Sequence, residues 1–134
     1  MKRTPLKRYR GFRGRNKFGA VPVHDLATGQ SWDSKGEARR WAMLQLLQRT
    51  GAITILTMHP LVVLIERTDR APRIAYHPDF QYQEAGRTVW EDWKPRPQTP
   101  RETLLFALWQ HLGPGVLRIT GPKGVIKTVM GGKA

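Results

Sequence analysis

Two aspartates and a lysine lie close together in the middle of the chain, in the motifs Pro78-Asp79 and Asp92-Trp93-Lys94. Because side chains alternate along a β-strand, a strand through the second motif puts Asp92 and Lys94 on the same face. A turn between two strands can bring Asp79 beside them. Two nearby carboxylates bind a hard divalent cation, and the lysine adds one positive charge. These residue types are those of a metal-dependent phosphodiesterase.

The sequence around these motifs predicts the elements that position them. A helix is expected to begin near Ser34, with Glu37 three residues later as in a capping box, and to end at Thr50-Gly51. A second helix begins at Thr99 or Pro100. A short hairpin is expected within 21–32, and strand-like segments at 53–56, 61–65, 74–83, 88–94, 116–119 and 125–129. The order predicts an α/β fold in which helices flank a mixed sheet, with the strand after the second helix joining it in parallel.

Positive charge is concentrated at the two ends of the chain. The 134 residues suit one compact domain and carry a net charge of +13. Residues 1–19 contain eight Lys and Arg and no acid, and residues 113–134 contain four and no acid. We therefore predict a flexible basic arm (1–19), a folded domain (20–120) and a basic C-terminal tail (121–134). Such arms bind a phosphate backbone, although a solubilising tail or an arm for an acidic membrane would look similar.

Composition excludes several classes of protein. There are no cysteines, which excludes disulfides and thiolate metal sites and fits a cytoplasmic location. No apolar segment approaches the roughly 20 residues that a membrane span needs. The first residues lack the apolar stretch of a secretory signal.

Three local motifs occur in an order that is found in a known superfamily. They are Ser34-Lys35-x-Glu37-Ala38-Arg39-Arg40, Tyr76-x-Pro78-Asp79-Phe80-x-Tyr82 and Val89-x-Glu91-Asp92-x-Lys94. With the αβββαβ order, they resemble the PD-(D/E)XK nucleases over about residues 17–120. Within that superfamily the chain is similar to small phage-encoded endonucleases and to archaeal-type Holliday junction resolvases. One departure is Pro95, where the phage family usually has glycine.

The resemblance implies a catalytic set of Glu37, Asp79, Asp92 and Lys94. Asp79, Asp92, Glu37 and the backbone carbonyl of Trp93 would hold Mg²⁺, for which Mn²⁺ should substitute. Lys94 would orient the attacking water or neutralise charge on the phosphate.

Each of these residues also has a purely structural interpretation. Asp79 could be a turn residue, Asp92 an exposed charge on an edge strand and Lys94 a solvated strand end. Glu37 could serve only the capping box. Glu91, the neighbour of Asp92, points to the opposite face and is expected to form a salt bridge rather than to bind metal.

Basic residues in the arm and near the motifs are the predicted DNA contacts, the alternative being a solvated face. They are Lys2, Arg3, Lys7, Arg8, Arg10, Arg13, Arg15, Lys17, Lys35, Arg39, Arg40, Arg96 and Arg101.

The expected function is therefore that of a metal-dependent endonuclease that cuts branched DNA. The resemblance favours a four-way junction cut by a homodimer, because two symmetric cuts need two sites related by a two-fold axis. Residues 61–65 and the second helix are candidate dimer surfaces. If the protein is phage-encoded, it would act in the host cytoplasm. The alternatives are a nicking or restriction-like nuclease on linear duplex and a basic nucleic-acid-binding module without activity.

Overall fold

Two helices and nine strands make up the regular structure of residues 23–25, 30–32 and 35–134, which are those that the computed structural model describes. The helices are α1 (Lys35–Arg49) and α2 (Pro100–Leu112). The strands are β1 (Val23–Asp25), β2 (Gln30–Trp32), β3 (Thr54–Met58), β4 (Val62–Ile65), β5 (Ile74–Tyr76), β6 (Phe80–Glu84), β7 (Arg87–Trp93), β8 (Val116–Gly121) and β9 (Gly124–Met130). The chain divides into two compact units, Met1–Ala42 and Met43–Ala134.

In the first unit, β1 and β2 pair as an antiparallel hairpin, as the sequence predicts for residues 21–32. The unit also contains the first half of α1. The predicted cap Ser34 and the whole basic arm, residues 1–19, lie outside the described residues.

The second unit is built on a five-stranded mixed sheet in the order β3-β6-β7-β8-β9. Strands β7 and β8 are parallel, and every other neighbouring pair in this sheet is antiparallel. The predicted parallel strand after the second helix is thus confirmed. The described residues form an α/β fold, with a mixed five-stranded sheet and two helices. No helix in the described part of the chain is both long and apolar enough to cross a membrane.

The predicted single strand over 74–83 is in fact two strands. Residues 74–76 form β5, which pairs with β4 in a separate two-stranded sheet, whereas residues 80–84 form β6 of the main sheet. Pro78 lies between them, and proline has no N–H to donate to a ladder. The break spans residues 77–79 and therefore includes Asp79.

Helix α2 begins where the sequence predicts. The Thr99 side chain caps the helix by accepting from the Glu102 amide, the Glu102 carboxylate accepts from the Thr99 amide, and Pro100 occupies the first turn. The buried side of the helix, including Leu105, Phe106 and Trp109, packs in one apolar cluster with Trp90 of β7. The rings of Trp90 and Trp109 pack edge to face, with their centroids 5.3 Å apart.

The predicted strand over 125–129 is confirmed as β9, so most of the segment 121–134, expected to be a basic tail, belongs to the sheet. Residues 124–130 form the edge strand β9, which pairs with β8, and Val129 is buried in the core. Lysines without any acid beside them suggested a tail, but an edge strand tolerates lysines because one of its sides faces solvent.

Candidate active site

The sheet brings Asp79 and Asp92 to the same end of β6 and β7. The antiparallel ladder between these strands ends at the pair Phe80–Glu91. Asp79 and Asp92 are the next residues beyond that pair, one on each side of the ladder. Asp92 is level with Ile119 of the parallel strand β8. Lys94 follows one residue after the end of β7 and shares the face of Asp92. The structure thus places both aspartates and the lysine of the predicted set together.

The Asp79 carboxylate fastens the ends of the two strands to each other. Its Oδ2 accepts a hydrogen bond of 2.7 Å from the backbone amide of Trp93. The Asp79 carbonyl accepts a further bond of 2.8 Å from the amide of His59. Asp79 is half-buried. These bonds give it a positioning role in the strand ends, whatever else it binds.

The Asp92 carboxylate is buried, and only one of its two oxygens has polar contacts among the described residues. Only 1% of the residue is exposed. Its Oδ2 accepts a hydrogen bond from the Tyr76 hydroxyl and lies 3.5 Å from Nζ of Lys94. Its Oδ1 is buried and has no hydrogen-bond partner among the described residues. A buried acceptor left in this way costs about 1–3 kcal/mol, so such a site favours a cation or a water.

Lys94 carries a positive charge at neutral pH beside the two aspartates. Burial by itself lowers the pKa of Lys94, but the negative charges of Asp92 and Asp79 outweigh that effect and leave the pKa above its usual value. About a quarter of its side chain, 26%, is exposed, so the ammonium can still meet a ligand from solvent.

Tyr76 is a site residue that sequence reasoning did not select. Its ring is buried against Phe106 and Trp109, with ring centroids 6.5 and 6.1 Å away. Burial, followed by the charge of Asp92, raises the pKa of the Tyr76 hydroxyl far above its usual value, so it remains a donor. The signal in the sequence is its place at the start of the motif Tyr76-x-Pro78-Asp79-Phe80-x-Tyr82, three residues before Asp79.

Arg96, predicted to contact DNA phosphates, forms a bidentate salt bridge with Glu102. Its two guanidinium nitrogens lie 2.8 and 2.6 Å from the Glu102 carboxylate oxygens. These bonds, against a smaller opposing effect of burial, lower the pKa of Glu102 to about 2. Because Glu102 also closes the cap of α2, the pair ties the segment after Lys94 to that helix. This geometry favours a positioning role for Arg96 over contact with DNA.

Glu91 lies on the opposite face of β7 and is fully buried. Its carboxylate accepts hydrogen bonds of 2.7 Å from the Tyr82 hydroxyl and 3.2 Å from the Thr120 hydroxyl. Arg118, which pairs with Glu84 at 2.7 Å, also reaches the Tyr82 hydroxyl at 3.4 Å. The predicted opposite-face position is confirmed, and both of these hydrogen bonds come from hydroxyl groups. The predicted salt bridge from Glu91 to an arginine stays a prediction.

Glu37 and the basic residues of α1 belong to the first unit. Glu37 is buried, with 5% of the residue exposed. Lys35 and Arg39 are exposed and Arg40 is half-buried, as is consistent with either interpretation of them. Arg101 is exposed on the first turn of α2. The roles of Glu37, of these cations and of the Trp93 carbonyl stay predictions, as does DNA contact by the eight cations of the arm.

The two aspartates are therefore the carboxylates that the structure brings together. Within the described residues, no group of three or more His, Asp or Glu side chains is arranged to hold a metal ion. The oxygen donors of Asp79 and Asp92 nevertheless suit a hard cation such as Mg²⁺. The unpartnered Oδ1 of Asp92 leaves one buried acceptor for it.

Comparison of the chain with protein-family models, with curated proteins and with solved structures gives no match.

Proposed function

We propose that the protein is a metal-dependent DNA endonuclease of the PD-(D/E)XK type. The observation that carries this proposal is the pairing of the buried Asp92 carboxylate with the charged Lys94 ammonium. One oxygen of that carboxylate has no hydrogen-bond partner among the described residues. Asp79 adds a second carboxylate at the same level, because both aspartates follow directly on the pair Phe80–Glu91. A site for binding DNA alone has no need of buried acids next to its cations, because carboxylates repel phosphates unless a cation intervenes.

Asp79 and Asp92 would hold the divalent cation, with Glu37 and the Trp93 carbonyl as further predicted ligands. When bound, the cation supplies stabilisation of the negative charge that develops on the phosphate. Lys94 supplies a second positive charge from the protein itself, held in place by Asp92. Tyr76 fixes the orientation of Asp92, and the Asp79–Trp93 bond fixes the strand end from which Lys94 projects.

The substrate is proposed to be branched DNA, in the first instance a four-way junction. The net charge of +13 supports binding to a polyanion. The deciding experiment incubates an end-labelled junction and a linear duplex of matched sequence with Mg²⁺, Mn²⁺ or EDTA. The proposal expects cleavage of the junction that depends on the metal. Equal cleavage of both DNAs would favour the duplex nuclease, and binding without cleavage under every condition would favour the inactive binding module.

The active form is proposed to be a homodimer, since one site cannot cut two symmetric strands in a single encounter. Exposed apolar side chains at Leu61, Ile65 and Leu104 are candidates for the contact, with 43%, 36% and 60% of each residue exposed. Sedimentation should report a dimer. Mixed dimers of wild type and Asp92→Asn should nick one strand and resolve the junction slowly. A protein that stays monomeric on junction DNA would contradict this part of the proposal.

A further inference from the structure

A pocket of about 150 Å³ opens directly beside Lys94, between α2 and the C-terminal strands of the sheet. Its apolar wall includes Phe106, Ile119 and Ile126, and two of its cations are Lys94 and Lys127. Lys94 therefore faces both this pocket and Asp92, so whatever occupies the pocket lies next to the candidate active site.

The sheet register explains how Lys127 reaches the same face as Asp92. Asp92 is level with Ile119 on β8, and Ile119 is level with Lys127 on β9. The three residues form one row across three neighbouring strands. Because neighbouring strands lie about 4.8 Å apart, the backbones of Asp92 and Lys127 are roughly 10 Å from each other.

A β-bulge in β9 adds a second side chain to the pocket. Thr120 pairs with Val125, and the preceding Ile119 pairs with Lys127, so Ile126 is the extra residue. Regular alternation would send Ile126 and Lys127 to opposite faces, whereas both line the pocket. Bulges of this kind re-aim side chains and are common beside active sites.

The charge of the pocket suits a phosphate group. Arg96 also lines it, but its guanidinium is bound to Glu102, the one acid in the wall. Lys127 makes no ion pair with any described residue and lies 5.6 Å from the centre of the Phe106 ring. A wall of apolar side chains next to Lys94 and Lys127 matches a nucleotide, whose base is largely apolar on its faces and whose phosphate is anionic.

We propose that this pocket receives one unstacked nucleotide of the DNA substrate, with its phosphate between Lys94 and Lys127. The inference rests on the nuclease function proposed above and names the feature that the site recognises. In a continuous duplex every base is stacked, and removing one costs free energy, whereas a branch point provides bases that are already unpaired or easily unstacked. The pocket is thus a source of selectivity for branched over linear DNA.

The test measures the affinity for a fluorescent four-way junction by anisotropy in EDTA, so that no cleavage is needed. An abasic nucleotide is placed at each branch-point position in turn. At one position, wild-type affinity should fall about tenfold. Ile126→Trp, which fills the pocket, should bind the intact junction about tenfold more weakly and should show no further loss at that position, because coupled changes are not additive.

Two variants serve as matched controls. Val125 is nearly as exposed as Ile126, at 55% against 61%, but does not line the pocket, so Val125→Trp should bind like wild type. Lys127→Ala should weaken junction binding more than Lys123→Ala, which removes an exposed lysine outside the pocket. Circular dichroism and thermal melting should show that all four variants are folded.

The two proposals fail in different ways. The pocket proposal is overturned if no abasic position weakens wild-type binding, or if Ile126→Trp and Val125→Trp behave alike, even when the wild type cuts DNA. The nuclease proposal is overturned if the wild type cuts neither DNA with Mg²⁺ or Mn²⁺. In that case a tenfold abasic effect that Ile126→Trp abolishes would still assign the pocket to nucleotide binding.

Discussion

The Tyr76 hydroxyl donates a hydrogen bond to Oδ2 of Asp92 from 16 positions away in the chain. The bond connects the small β4–β5 sheet to the end of β7. This hydrogen bond uses the same carboxylate oxygen that Lys94 approaches. The other oxygen, Oδ1, has no hydrogen-bond partner among the described residues. Tyr76 therefore determines which oxygen of Asp92 is presented to a ligand.

Replacing Tyr76 with phenylalanine should lower cleavage about 10- to 100-fold, the usual cost of removing a group that orients a metal ligand. The free energy of unfolding should fall by about 1–2 kcal/mol, because a buried carboxylate loses a donor. Junction cleavage under single-turnover conditions and chemical denaturation measure the two effects.

Tyr82→Phe is the matched control for this prediction. It removes a hydroxyl that binds the buried Glu91 on the opposite face of the same strand. A similar loss of stability is expected, with cleavage unchanged. If both variants lose cleavage equally, Tyr76 acts only through stability, and its positioning role is wrong.

Local sequence signals predicted the elements whose ends are marked by a capping residue, a glycine or a turn. The predicted start of α2 at Thr99 or Pro100 is confirmed, and the structure shows that a Thr99–Glu102 capping box fixes it. Helix α1 ends before Gly51, whose φ of +86° suits a residue without a Cβ. Alternation and turns also predicted the hairpin of β6 and β7, which brings Asp79 level with Asp92.

Contacts that depend on how the elements pack could not be predicted in this way. Nothing local to Tyr76 or to Arg96 shows that one reaches Asp92 and the other Glu102, because both contacts depend on how β5 and α2 pack. The bulge at Ile126 is likewise a property of the β8–β9 register. The absence of acids in residues 121–134 does not distinguish a tail from an edge strand, whereas the apolar residues of 125–129 predicted the strand that is observed.

Asp79→Asn, Asp92→Asn and Lys94→Ala should each reduce cleavage below detection while junction binding persists. The two aspartate variants remove negative charge, so their binding in EDTA should be unchanged or tighter. Lys94→Ala removes a cation of the pocket, so its binding in EDTA should persist but be weaker. Glu37→Gln should also be severely impaired if Glu37 belongs to the site, whereas a loss of stability alone would favour the capping interpretation. A variant of this set that cuts at the wild-type rate would remove that residue from the site.

Deleting residues 1–16 should weaken DNA binding and reduce its dependence on salt. The deletion removes seven Lys and Arg residues. If all seven contact phosphates, the slope of log K against log salt concentration should become shallower by about 6, at roughly 0.9 per contact. Titrations between 50 and 200 mM salt, roughly the range over which such contacts act, measure the change. An unchanged slope would mean that the arm does not contact DNA.

The Arg96–Glu102 pair should make stability depend on pH in the acidic range. Because the pKa of Glu102 is lowered to about 2 in the folded protein from an ordinary value of 4.5, its carboxylate stabilises the fold fully above pH 4.5. That contribution, on the order of 2 kcal/mol for charge-assisted hydrogen bonds, is lost as the pH falls from about 4.5 to 2. Glu102→Gln should therefore be less stable than wild type at pH 7, and the difference should vanish near pH 2.

Urea denaturation at a series of pH values provides the measurement, with Glu84→Gln as a control because Glu84 pairs with Arg118 at a more exposed position. A Glu102→Gln difference that persists unchanged to pH 2 would show that the cap geometry, and not the charge of Glu102, supplies the stability.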